Sequence, residues 1–198
     1  MKSLRLTIFF LLAIIAEGTG QHLDKATHRY FNNFDDPSVN SAWINSNTII
    51  LSNDSSGNYF SRTDAMNPYS AGIEVEIPPD LKRKSFRITV SCNVKMLQGT
   101  NNQLVISISK NDSSIFWEGV QIHDSTLRMV EQDRNATKNL NGSGPWYSMN
   151  KSTLIPGNIP VDSKIKIFIW NADGKSETDV DQMEISFTET TITSFLPR

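Results

Sequence analysis

The segment 170–187 reads WNADGKSETDVDQMEISF and places two carboxylates, Asp179 and Asp181, two positions apart. On a strand that spacing points both side chains to one face. Such acids either help to hold a cation or stay solvated and discourage pairing at a sheet edge. Glu131 and Asp133, in VEQDRN, share a face if a strand over 126–131 continues. Carboxylates about 5 to 10 Å apart are what glycoside hydrolysis needs. This pair stands at the edge of a polar loop with no third acid nearby, and a solvated loop end is the favoured reading.

The aromatic residues suggest a different chemistry. A flat ring stacks on the C–H face of a sugar while amides and carboxylates bond its hydroxyls. The candidates are Trp43, Trp117, Trp146, Tyr147 and Trp170. In KIKIFIW, Lys166, Phe168 and Trp170 lie opposite Ile165, Ile167 and Ile169, so the strand carries aromatics on the side away from its apolar face. Either another segment covers Phe168 and Trp170 or they form a platform. Trp117 shares a face with Ile115, the reverse of Phe116, Glu118 and Val120, so both sides of that strand are apolar and its orientation stays open. Core packing is the plainer alternative for Trp117 and Trp170. In SFRITVSCNVKM the polar face bears Arg87, Thr89, Ser91 and Asn93, which suits the floor of a groove, although solvated sheet surface has the same pattern.

Several chemistries lack their residues. The sequence has no Gly-x-Ser-x-Gly elbow, and of its three histidines only His123 falls within the expected domain. No His/Cys cluster with zinc spacing occurs. The lone Cys92 lies in an alternating strand and reads as a buried, inert thiol with no disulfide partner. A formal net charge of −2 without a basic block argues against nucleic acid or an anionic membrane as partner.

These residues depend on strands for their placement. Period-2 alternation recurs in AGIEVEIP, SFRITVSCNVKM, QLVISIS, KIKIFIW and MEISF, separated by turn-forming stretches such as IPPD, QGTNN and NADGK. About ten short strands at roughly 8 to 12 residue spacing predict an all-β antiparallel sandwich or jelly roll. At the N-terminus, Lys2 and Arg5 precede an apolar run and the small residues Ala16, Gly18 and Gly20, the layout of a secretory signal peptide over 1–20. The run is too short to span a bilayer, so a secreted, periplasmic or extracellular chain without a membrane span is expected. Residues 21–29 read as a disordered lead-in, 30–189 as one domain and 190–198 as a tail.

Taken in order, FNNFDD, Trp43, SGNYFSRTD, NPYSAGIEVEIP, SIFWEGV, GPWYSM, KIKIFIWN and DVDQMEISF resemble the galactose-binding-domain-like jelly roll of bacterial carbohydrate-binding modules, in a stand-alone secreted version. The resemblance implies a non-catalytic module that binds poly- or oligosaccharide, with Trp170, Phe168, Trp117, Arg87 and Asn93 as candidate sugar contacts. It also implies a structural calcium ion held by Asp35 and Asp181, with carbonyls from Ser56 to Asn58. Here Asp35 stands where the family more often has Glu, and Gln182 replaces a second Asp. The alternatives are a structural or adhesive surface module without a sugar site, and a small secreted glycan hydrolase or lyase.

Overall fold

The computed structural model describes residues 28–52, 57–98, 101–123, 127–129 and 145–190. The expected leader, Glu131, Asp133, Ser56 and the tail from 191 lie outside them. Strand alternation sorts the described chain into two antiparallel sheets packed face to face, a β-sandwich of jelly-roll type. The larger sheet holds β1 (His28–Asn32), β2 (Ile49–Leu51), β3 (Tyr59–Thr63), β5 (Phe86–Gln98), β8 (Leu127–Met129), β9 (Tyr147–Ile155) and β11 (Glu177–Glu189). Its order is β2-β3-β11-β5-β9-β8, with β1 also paired to β11. The smaller sheet orders β4 (Ile73–Glu76), β10 (Lys164–Asn171), β6 (Asn102–Lys110) and β7 (Ser113–Gln121) as β4-β10-β6-β7.

The core lies between the sheets. Phe86, Ile88, Val90, Cys92 and Val94 of β5 and Val180, Met183, Ile185 and Phe187 of β11 face Ile165, Ile167 and Ile169 of β10 and Leu104, Ile106 and Ile108 of β6. The Cys92 thiol is buried there, and desolvation pushes its pKa up to about 12, which leaves it inert. Polar ties among the described residues also join the sheets. Lys151 of β9 pairs with Glu118 of β7 at 2.7 Å, and the buried Asn102 of β6 donates to Thr178 Oγ1 at 2.6 Å while accepting from Thr63 Oγ1 at 3.3 Å. Each is satisfied across the interface, so it fixes the relative placement of the sheets.

The lead-in needs correction. β1 starts at His28, with His28 opposite Phe187 and Arg29 opposite Ser186, so His28 and Arg29 belong to the folded sheet. Contacts made far along the chain hold them: Arg29 bonds Glu184 at 2.7 Å, and the Tyr30 ring meets Phe187 edge-on at 5.6 Å. β1 leads into a one-turn helix α1 (Pro37–Asn40), capped by Asp36 accepting from the Ser38 amide.

β11 is interrupted part-way along its length. β3 pairs with its residues 178–180 and β1 with 183–187, along the same edge. The register against β5 breaks between Asp181 and Glu184, where Gln182 takes a left-handed φ of 50°. A bulge thus lies where two strands meet end to end on one neighbour.

Candidate functional site

β10 alternates as its sequence predicts. With Ile165, Ile167 and Ile169 in the core, Lys164, Lys166, Phe168 and Trp170 lie on the outer face of the smaller sheet, and Phe168 and Trp170 are half-buried. The orientation of β7, open in the sequence, is resolved by Phe116 and Val120 packing against the core, which turns Trp117 outward. The Trp117 and Trp170 rings meet edge to face at 6.3 Å and 86°. Tyr69, bridged to Trp170 along the backbone, meets Phe168 at 5.4 Å and 88°. Trp117 remains 52% exposed and Tyr69 44%. Val105, cross-strand from both Phe168 and Gly119, is fully buried although it lies outside the main core. The outer face therefore has its own apolar layer, roofed by aromatic rings.

Polar groups border this layer at both ends. Gln103 stands opposite both Trp170 and Gln121. Gln121 donates to Asn101 at 3.3 Å, and Asn101 donates to Asp173 at 3.0 Å. Asp173 accepts from the Lys175 and Ser176 amides, which hold its pKa down to about 2. At the other end Glu74 accepts from Lys164 at 2.9 Å and Lys166 at 2.7 Å, and those bonds, Lys166 first, lower its pKa. Tyr69, Gln103, Gln121 and Asn101 were missed in the sequence. Tyr69 comes from a turn where no period operates, and a strand glutamine looks like any other solvated residue until its cross-strand neighbour is known.

Three of the five expected sugar contacts, Trp170, Phe168 and Trp117, are thus brought together. Arg87 and Asn93 are not. They lie on the outer face of β5 in the larger sheet, on the opposite side of the sandwich, where Arg87 reaches Ser152 at 3.5 Å and Asn93 donates to Gln182 at 3.1 Å. Period-2 geometry gives the side of a strand, not the sheet it joins. Of the remaining aromatics, Trp43 packs in the core against Phe34, Tyr147 packs on the core's margin, and Trp146 lies against Phe60 at 6.3 Å with the Lys95 ammonium over its ring.

The acids of β11 have separate fates. Asp179, 2% exposed, is held by Arg62 through two bonds, Nε at 2.7 Å and a terminal guanidinium nitrogen at 3.0 Å. Asp181, at the bulge and 6% exposed, accepts from the Asn58 side chain at 3.2 Å and the Gln182 amide at 2.7 Å. Asp35 arrives from beyond the end of β1 and accepts from the Tyr59 amide at 3.0 Å. Burial pushes the Asp181 carboxyl up to about 6, against the pull of its two hydrogen bonds, and the Asp35 charge raises it further. Among the described residues no positive charge compensates this desolvated carboxylate and its acidic neighbour. Beside Asp35 a cavity of about 330 Å³ opens, lined in part by Phe34, Ser46, Ile49 and Tyr59. The donors are oxygens and amides with no sulfur or imidazole, a set that fits calcium and not zinc. Among the described residues no three His, Cys, Asp or Glu side chains cluster around a common point.

The chain matches no protein-family model, and no curated protein matches it. The solved structures to which it is similar include carbohydrate-binding modules. One is a module characterised for specific mannan recognition, TmCBM27, at 7% identity over 82% of this chain and 99% of that one, with a TM-score of 0.41. Another is the CBM22-1 xylan-binding domain of Paenibacillus barcinonensis Xyn10C, at 12% identity over 72% and 81%, TM-score 0.39. A third is a family 16 carbohydrate-binding module, at 8% identity over 69% and 82%, TM-score 0.39. Among the described residues no helix is long and apolar enough to cross a membrane.

Proposed function

We propose that this protein is a secreted, non-catalytic carbohydrate-binding module whose ligand lies on the outer face of the smaller sheet, and that a calcium ion at Asp35 and Asp181 braces its fold. The observation that carries the first part is the apolar layer with Trp117 and Tyr69 left open above it. A monomer normally hides such surface or uses it. Rings bordered by Gln103, Gln121, Asn101 and Asp173 offer stacking for sugar C–H faces and hydrogen bonds for hydroxyls. On this face Asp173 and Glu74 have lowered pKa values, which suits them to accept hydrogen bonds from sugar hydroxyls and not to act as the general acid of a glycoside hydrolase.

A calcium ion would give Asp181 the positive neighbour it lacks. Asp35 and Asp181 would supply carboxylate oxygens, and the Asn58 amide, turned over, would add a third ligand. Main-chain carbonyls and water would complete a shell of about six to eight. The charge supplied by the ion would tie the end of β1 and the start of β3 to the β11 bulge. Screening the purified protein on a glycan array tests the function. Binding to a defined set of poly- or oligosaccharides, weakened in Trp117→Ala, is the expected result. Wild-type protein that binds no glycan leaves the face a structural or adhesive surface.

A further inference from the structure

β7 contains a glycine, Gly119, that its backbone does not require. It sits in the middle of a regular strand pair, opposite Val105, and lacks the positive φ that singles out Gly57 and Gly174. Glycine in a strand interior costs stability, and where no turn or bulge explains it, a close approach by another group does. That group is visible here. A Cβ added at Gly119 would stand 2.3 Å from Trp117 Cη2, 2.9 Å from Trp117 Cζ2 and 2.3 Å from Gln103 Oε1. These nearest atoms all belong to the far ends of two side chains of the proposed ligand face. The Trp117 ring leaves its own row and extends over Gly119 toward Trp170, and the Gln103 amide comes in from the other side.

We propose that Gly119 is the positioning residue of this face: its missing side chain lets Trp117 lie down against Trp170 and lets the Gln103 amide reach the same spot, making a corner for one pyranose residue of a glycan. The inference rests on the carbohydrate reading for its ligand, not for its geometry. Rings 86° apart cannot both stack on one flat sugar. Trp117, the more exposed, takes the C–H face, Trp170 bounds the corner, and Gln103 bonds a hydroxyl at the edge. Any side chain at position 119 pushes the indole and the amide apart, while the strand itself, free of backbone conflict, tolerates the change.

The test is Gly119→Ala, read by circular dichroism, melting and glycan titration, with Trp117→Phe as reference. Two indoles in edge contact give an exciton couplet, and Trp117→Phe reports what the spectrum looks like without it. Gly119→Ala should lose the couplet, melt no lower than wild type, and bind the glycan at least tenfold more weakly. A couplet that survives intact overturns the proposal, whether or not any glycan binds. A lost couplet in a protein whose wild type binds no glycan upholds the placement of Trp117 and rejects the carbohydrate reading instead. If Gly119→Ala is destabilising, it should be so only while Trp117 or Gln103 crowds the added methyl. An equal drop in melting temperature in a background carrying both Trp117→Phe and Gln103→Ala would mean that the backbone needs the glycine, and the proposal fails.

Discussion

Asp179 and Asp181 are two residues apart on one strand, yet their chemistry differs because of what reaches them across it. Asp179 meets a guanidinium in two-pronged contact; Asp181 meets an amide and a second acid. Arg62→Ala would leave Asp179 buried and unpaired, at a cost of about 3 kcal/mol, the low end for a buried pair because the guanidinium is partly exposed. Arg62→Lys should recover only part of this, since an ammonium cannot reproduce the fork. Chemical denaturation of the two variants measures both. Asp173 offers a pH test. Its pKa is lowered in the fold to about 2, so its contribution to stability is present above the unfolded-state value near 3.9 and disappears as pH falls through 2. The melting difference between wild type and Asp173→Asn should therefore hold steady from pH 7 to about 5 and vanish toward pH 2; a gap that persists in acid contradicts the assignment. The sequence displayed the acids, but not Arg62 or Asn58, each more than a hundred residues away along the chain.

Strands were the legible elements. The alternations in 86–96 and 164–170 became β5 and β10 with the inward and outward sides as read, because period 2 is a local property. What alternation does not encode is partnership. Arg87 and Asn93 shared a plausible polar face with nothing to say that the aromatic face of β10 lies across the sandwich. β1 began earlier than its sequence suggested because its stability comes from β11. The β11 bulge was equally silent, although it sets the one place where Asp35, Asn58 and Asp181 can meet. If calcium binds there, it binds the folded chain alone and stabilises it by about 2.7 kcal/mol at a hundredfold excess over its Kd. For a domain of this size that is a rise in Tm of roughly 5 to 10 °C. Melting in calcium against melting in EDTA checks the value, and Asp181→Ala should abolish the difference. Equal midpoints for wild type in the two buffers would remove the ion from the account.

In the whole molecule the two sheets divide the labour. The larger sheet holds the β11 bulge with its buried acids, and on it Arg62 lies over Phe60 and Lys95 over Trp146 while Phe31 stays exposed. The smaller sheet keeps aromatic rings open to solvent above a second apolar layer. The buried Asn102 tie lies near the end of β6 from which Gln103 and Asn101 reach the aromatic face, so that end is fixed to the core. Two single variants on opposite faces separate this arrangement from its rivals: Trp117→Ala on the smaller sheet and Arg87→Ala on the larger, both exposed enough to leave folding intact. Calorimetric titration of each with a glycan that binds the wild type is the most direct measurement. Loss of one stacking contact, worth about 1 to 1.5 kcal/mol, predicts roughly a tenfold weaker Kd for Trp117→Ala and an unchanged Kd for Arg87→Ala. Full affinity in Trp117→Ala together with a weakened Arg87→Ala would put the ligand on the opposite sheet and contradict the account.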